Sequence, residues 1–196
     1  MTLTDAQIDR YSRQIIVPRV GGRGQERLLA ARMLLVGDAR DIEAPLAYLV
    51  GAGVGTICLK LSSDQTIFTD KGELNSDVTI TLADQSHGRV DLALAIIGSE
   101  AARKVADEIM NDRDVGAYVI ARLDAPGKIE IIPDSHRPQT VDASMLAAVG
   151  QRAEAADFIA MLATAEAFKP IAGYAENPAR AIIEFDGYET KVRVPV

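Results

Sequence analysis

The chain has 196 residues, of which 48% are hydrophobic and 25% charged, with a formal net charge of −7 at pH 7. This composition is typical of a soluble globular protein with one sizeable domain. An acidic chain without tryptophan is a poor candidate for binding nucleic acid. No apolar run approaches the length of a membrane span, and no apolar leader is visible, so we expect a cytoplasmic protein.

The charge is unevenly distributed along the chain. Residues 1–32 carry six arginines against three acidic residues, a charge of +3, which leaves −10 on the remainder. This asymmetry favours either an arm that docks on an acidic partner surface, including a second copy of the chain, or a solvated face of two short helices. The single cysteine, Cys58, lies in a predicted buried strand, which excludes an intrachain disulfide and a cysteine-rich zinc site.

The N-terminal segment is predicted to contain two short helices. Thr4 can cap the first of them, and Gln7 completes a capping box three residues later. Residues 21–24 (GGRG) are interpreted as a flexible turn. The second helix is predicted to run from Gln25 to Ala31.

A strand–helix–strand unit follows. The apolar run Met33–Val36 ends at Gly37, a helical segment leads to the turn at residues 51–53, and a second apolar run covers Thr56–Leu61. Such a right-handed βαβ unit is the opening half of a nucleotide-binding sheet. Ser99 is predicted to cap a later helix. Further strands are predicted at residues 77–82, 91–97, 116–121 and 128–132, the last two joined as a hairpin.

The C-terminal part is predicted to contain a helical region from Val141 to Phe168, bent near Gly150, and two strands at residues 181–185 and 191–194. The fold class is therefore α/β, with a Rossmann-like, mostly parallel sheet, flanking helices, an N-terminal helical arm and C-terminal antiparallel strands. We expect one domain over residues 1–196, divided into an arm (1–31), a Rossmann-like core (32–135) and C-terminal helices and strands (136–196).

The turn after the first strand decides what this scaffold can bind. A dinucleotide or ATP site needs several glycines there, because backbone N–H groups must approach phosphate closely. Asp38 and Asp41 are interpreted as turn and N-cap residues of the following helix, and Arg40 as pairing with a carboxylate or with a lone anion. The turn keeps one glycine and reads Gly37, Asp38, Ala39, Arg40, Asp41 and Ile42.

The segments RYSRQI, GRGQ and AYLVGAGVGTICL resemble the MoeB/ThiF/HesA family, the bacterial relatives of ubiquitin-activating enzymes. The resemblance extends over nearly the whole chain, and RYSRQI is its most specific part. It implies a Rossmann-type adenylating fold. It also implies that intact relatives bind Mg–ATP and adenylate the C-terminal glycine of a ubiquitin-like or sulfur-carrier protein.

The family's functional residues can be carried over one position at a time. The first glycine of the phosphate loop matches Gly37, and the later glycines fall on Ala39, Arg40 and Ile42. The acid that holds the ribose hydroxyls falls near Leu61. The metal-binding aspartate falls on Gly98, and an asparagine and an arginine fall near Thr69 and Gly72.

Two further features of the family bear on catalysis and assembly. No cysteine follows Cys58, so the catalytic thiol and the zinc ligands of the family are missing. Arg13 matches the arginine that reaches into the active site of the dimer partner, although it could equally be an ordinary surface arginine.

The resemblance and these losses together predict a catalytically silent protein with no ATP, magnesium or other cofactor. It would act as a homodimer, as a heterodimer with an active relative, or by binding a ubiquitin-like or sulfur-carrier protein. The alternative is a divergent ATP-dependent adenylyltransferase that uses Asp38, Arg40 or Asp41 in new ways. An NAD- or FAD-dependent oxidoreductase is disfavoured by the same missing glycines and ribose acid.

The remaining polar and aromatic candidates have simpler interpretations. His87 and His136 are predicted to be surface residues, since neither has a metal-ligating residue at suitable spacing. Tyr11, Tyr48 and Tyr118 are predicted to be core or interface residues.

Overall fold

Three short helices at the N-terminus pack beside the sheet. The computed structural model describes residues 2–63, 74–83, 88–110, 114–132, 144–173, 180–186 and 188–194. Helix α1 (Asp5–Arg10) has the predicted capping box, in which the Thr4 hydroxyl accepts from the Gln7 N–H and the Gln7 side chain accepts from the Thr4 N–H. Helices α2 (Ser12–Ile15) and α3 (Gly21–Ala30) follow.

The flexible turn predicted at residues 21–24 is wrong, because these residues form the first turn of α3. Gly24 is buried, and a Cβ on it would lie 3.2 Å from the carbonyl oxygen of Ala172, at the end of α6 (Ala156–Ala172). Glycine at this position therefore lets α3 and α6 approach closely, and tertiary packing outweighs the low helix propensity of glycine.

Eight strands of the described residues form one sheet in the order β3-β2-β1-β4-β5-β6-β7-β8. The pairs among β1 to β5 are parallel, and β6, β7 and β8 are antiparallel. This confirms the predicted fold class. The strands are β1 (Arg32–Gly37), β2 (Thr56–Leu61), β3 (Thr79–Leu82), β4 (Val90–Ile97), β5 (Val115–Arg122), β6 (Gly127–Ile132), β7 (Ala181–Phe185) and β8 (Thr190–Arg193).

The two faces of the sheet are covered by different helices. Helix α4 (Ala39–Ala52) and α6 share one core layer with β1 residues such as Leu35. Helix α5 (Glu100–Met110) contributes Ala106 to the opposite layer, and the Ser99 hydroxyl accepts from the Ala102 N–H at its start, as predicted. No helix in the described part of the chain is long and apolar enough to cross a bilayer.

The long helix predicted over residues 141–168 is wrong in its first half. Residues 141–143 lie outside the described residues, residues 144–155 are not helical, and α6 begins only at Ala156. We call residues 144–155 the crossing segment, because they connect across the ends of β4 and β5. Where α6 does form, its buried face includes Ala160, Ala163 and Ala167.

Candidate functional site at the carboxyl ends of β1 and β4

The strand order places the candidate site between β1 and β4. In open α/β sheets ligands bind beyond the carboxyl ends of the strands, where the strand order reverses. Here that crevice lies above Gly37, at the end of β1, and Gly98, which follows β4. The predicted nucleotide turn is short: Asp38 is the N-cap residue and Ala39 already belongs to α4.

Glycine is required at position 37 because a side chain there would collide with neighbouring atoms. A Cβ on Gly37 would lie 2.7 Å from Cγ2 of Ile42 and 2.7 Å from the carbonyl oxygen of Ile96. Ile42 has no exposed surface, so its side chain fills the space between α4 and the sheet. Leu61, at the position of the ribose-binding acid, pairs in register with Gly37 and packs against the same core.

An ion pair lies above Gly98. The side chain of Asp41 is 4% exposed, and its Oδ1 accepts a hydrogen bond of 2.8 Å from Nη1 of Arg152 in the crossing segment. A Cβ on Gly98 would overlap Oδ2 of Asp41 and lie 3.0 Å from its Cγ. Arg152 also contacts the exposed carboxylate of Asp157 at 3.1 Å. Asp41 therefore lies in the first turn of α4, but it is not the N-cap residue, and its side chain pairs with Arg152.

The environment of Asp41 changes its proton affinity. Burial raises the pKa of Asp41, and the hydrogen bond and charge of Arg152 oppose that shift. Asp38 raises the pKa further through its charge, and Arg40 lowers it. The net direction is upward, so burial outweighs the ion pair.

We expect the wild type to lose stability relative to Asp41→Asn as the pH rises from about 4 towards 7. Because its pKa is raised on folding, Asp41 binds more protons in the folded than in the unfolded state within this window. Urea unfolding at a series of pH values measures the difference between the two proteins, in which the other titrating groups cancel. A wild type that gains stability relative to Asp41→Asn over this pH range would contradict a raised pKa for Asp41.

The other two candidates of the turn have different roles. Asp38 is the N-cap residue by backbone position, but its side chain makes no capping bond and instead accepts from the Ser62 hydroxyl. Arg40 is exposed and lines a cavity of about 410 Å³ between α4 and α6. Asp41, Glu43 and Asp157 line the same cavity, so Arg40 lies among carboxylates.

A second buried ion pair, which the sequence analysis missed, holds the crossing segment in place. Arg122, at the end of β5, donates from Nε to Asp124 at 2.9 Å, and Nη2 contacts the other carboxylate oxygen. The backbone N–H of Gly150 donates to Asp124 at 2.8 Å. Arg122 also donates to the carbonyl oxygens of three residues of the crossing segment, Ser144, Ala147 and Ala148.

The same contacts lower the pKa of Asp124. Burial would raise the pKa, but hydrogen bonds from Arg122 and Gly150, with the charge of Arg122, lower it overall. The one signal in the sequence was an arginine at the end of an apolar strand with an aspartate two residues later.

The remaining candidates lie apart from the crevice or outside the described residues. Arg13 is exposed on α2, and no ion pair to it occurs within the described ranges. Tyr11 and Tyr118 are buried, as predicted, whereas Tyr48 is 63% exposed. His87, His136, Thr69 and Gly72 lie outside the described residues. Among residues that are described, no group of three or more metal-ligating side chains occurs.

Comparison with known sequences gives partial-length matches to adenylyltransferases. The chain is 53% identical over 58 residues to the adenylyltransferase and sulfurtransferase uba4 of Pyricularia oryzae, and 50% identical over 58 residues to the sulfur carrier protein adenylyltransferase of Thermus thermophilus. Each match covers 29% of this chain, but 12% and 21% of the respective relatives. No family model matches the chain.

Comparison with solved structures covers nearly the whole chain. The structure of PaaA matches with a TM-score of 0.63 and 16% identity, over 98% of this chain and 75% of that protein. E. coli MccB, solved with ATP, matches with a TM-score of 0.60 and 12% identity, over 97% and 72% respectively. At such identities the likeness shows the fold.

The sheet order, the crevice between β1 and β4 and these structural matches define a Rossmann-type α/β protein with the fold seen in PaaA and MccB. The sequence matches to uba4 and to the sulfur carrier protein adenylyltransferase support the resemblance to the MoeB/ThiF family that the RYSRQI segment carries.

Proposed function

We propose that this protein is a non-adenylating member of the MoeB/ThiF family that acts through protein contacts. It would form a homodimer or a heterodimer with an active relative, or bind a ubiquitin-like or sulfur-carrier protein. The observation that supports this best is the filled crevice, where the buried side chains of Asp41 and Ile42 lie between α4 and the sheet.

The chemistry of the crevice argues against a bound triphosphate. A phosphate cradle needs bare backbone N–H groups, whereas residues 39–42 here all carry side chains. The Asp41 carboxylate places negative charge where the polyphosphate would lie, and like charges in a poorly solvated site repel strongly. Leu61 cannot accept hydrogen bonds from ribose hydroxyls. The residues present therefore do not fit ATP with magnesium, and we expect the protein to use no cofactor.

Calorimetry with Mg–ATP tests this proposal directly. We expect no binding heat at ATP concentrations up to ~1 mM, a level at which typical ATP-using enzymes approach saturation. We also expect no exchange of pyrophosphate into ATP when a ubiquitin-like or sulfur-carrier protein is added. An active relative, such as the Thermus thermophilus adenylyltransferase, measured with the same reagents, is the positive control. Micromolar ATP binding or carrier-dependent exchange would contradict the proposal.

A second candidate is a divergent adenylyltransferase that activates a ubiquitin-like or sulfur-carrier protein. The names of the sequence relatives favour this candidate more directly than the silent one. It would require the start of α4 to rearrange, so that Arg40 and Arg152 could contact phosphates. Carrier-dependent pyrophosphate exchange distinguishes the two candidates, because the silent protein cannot form the adenylate.

The oligomeric state of the protein is tested separately from ATP binding. The proposed dimer or heterodimer uses the arginine-rich N-terminal arm, in which Arg13 is exposed and has no ion pair among the described residues. The native mass of the purified protein, alone and mixed with an active relative, reports whether either assembly forms. Monomers in both samples would restrict the proposal to binding of a carrier protein.

A further inference from the structure

The carboxylate of Asp41 occupies the space that a side chain at position 98 would fill. A Cβ on Gly98 would overlap Asp41 Oδ2 and lie 3.2 Å from Nη1 of Arg152. Asp41 is carried by α4 and Gly98 follows β4, so two different elements supply the group and the space for it. The absence of a side chain at position 98 is therefore what allows the ion pair to form.

Arg152 is held in this position by its backbone as well as by Asp41. The Ala153 N–H donates to the Leu123 carbonyl at 2.8 Å, and the Ala125 N–H donates to the Gln151 carbonyl at 3.0 Å. Asp124 and Arg152 form an antiparallel bridge between the two segments. The backbone of Arg152 is therefore positioned beside the crevice by bonds that do not involve Asp41.

We propose that the Asp41 carboxylate is an internal occupant of an anion site whose positive charge is Arg152, so that the chain itself excludes phosphate-like anions from the crevice. This rests on the proposed function in one respect, since it takes the crevice to be closed in the wild type. The charged groups beside the site are Asp38, whose charge acts on Asp41, and Arg40, Glu43 and Asp157, which line the adjoining cavity. Of these, Asp157 contacts Arg152 and is 94% exposed.

A double-mutant cycle tests the shared space. We expect Gly98→Ala to raise the unfolding equilibrium constant about tenfold or more in the wild type, because the new methyl group displaces a buried, paired carboxylate. In the Asp41→Ala background the same change should alter the constant less than about twofold, since the two nearest atoms to the methyl group are then gone and the next, Nη1 of Arg152, is at the end of a flexible side chain. Equal effects in the two backgrounds would overturn the proposal. If Asp41→Ala does not fold, Asp41→Ser completes the same cycle.

Titration with inorganic pyrophosphate, without divalent ions and at constant ionic strength, tests the occupancy. We expect the double variant D41A/D157A, in which Arg152 has lost both carboxylate partners, to bind pyrophosphate at millimolar concentrations or below. The wild type and Asp157→Ala, which keep Asp41, should not bind it. The triple variant D41A/D157A/R152Q should lose the binding. Absence of binding by D41A/D157A, or equal binding by D157A, would overturn the proposal.

These results are separable from the proposed function. ATP binding by the wild type would overturn the proposal that the protein is catalytically silent. The double-mutant cycle would still report whether Asp41 and a side chain at position 98 compete for the same space. Equal effects of Gly98→Ala in the two backgrounds would overturn the proposal that Asp41 is an internal occupant. The absence of ATP binding would then be attributed to the side chains of residues 39, 40 and 42 alone.

Discussion

Replacing Arg122 with methionine is expected to lower the free energy of unfolding by ~3–5 kcal/mol, as for removal of one partner from a buried ion pair. The Arg122 side chain is 7% exposed, and Asp124 is 9% exposed. The variant leaves the Asp124 carboxylate buried and three carbonyl oxygens of the crossing segment without their donor. Urea denaturation followed by circular dichroism measures the loss.

Arg193→Met is the matched control for that experiment. Arg193 also pairs with a carboxylate, that of Glu184, but its side chain is 62% exposed. An exposed pair of this kind contributes only ~0–1 kcal/mol, so the control should unfold at nearly the wild-type urea concentration. A similar, small loss in both variants would mean that Arg122 does not anchor the crossing segment.

The sheet could be predicted from the sequence because its signals are local. Apolar runs such as Met33–Val36 are bounded by glycine, and the run at 91–97 has the continuous hydrophobicity of a strand covered on both faces. The hairpin predicted between residues 116–121 and 128–132 is confirmed by the antiparallel pairing of β5 and β6. None of these assignments needed a contact distant in sequence.

The errors concern segments whose conformation depends on distant partners. Residues 144–155 were predicted to be helical, and alanine, a strong helix former, is frequent among them. In the structure, carbonyl oxygens that a helix would use internally accept from Arg122, 22 to 26 residues earlier in the chain. Tertiary hydrogen bonds from one buried arginine therefore override the propensity of the segment.

The candidate site likewise combines a feature that the local sequence predicts with one that only the structure shows. The turn after β1 lies at the carboxyl edge of the sheet, as expected for the first strand of a βαβ unit. The pair that fills the crevice joins residues 111 positions apart, and no local pattern announces it. Asp41 and Gly98 were each considered alone, as a cap and as a lost metal ligand, and only the structure brings them together.

Gly55→Ala is expected to lower the free energy of unfolding by at least ~3 kcal/mol, at the upper end of the range for overpacking. A Cβ on Gly55 would overlap the carbonyl oxygen of Leu29 and lie 2.8 Å from its carbonyl carbon. The Gly55 N–H donates to the Leu28 carbonyl at 3.0 Å, and the Gly55 carbonyl accepts from the Thr79 N–H at 2.9 Å. Since backbone bonds fix both sides of the contact, the strain cannot be relieved by rotating a side chain.

Gly51→Ala provides the opposite case four residues earlier. Gly51 lies near the end of α4, and a Cβ there would meet no atom within 4 Å. Alanine at this position should therefore raise the stability by ~0.5–1 kcal/mol, because it restricts the unfolded chain and favours the helix. For a chain of this length, the Tm should fall by roughly 6–12 °C in Gly55→Ala and rise by about 1–4 °C in Gly51→Ala. A Gly55→Ala variant with the Tm of the wild type would show that α3 and β2 do not meet at Leu29, and the seating of the N-terminal arm on the sheet would have to be reconsidered.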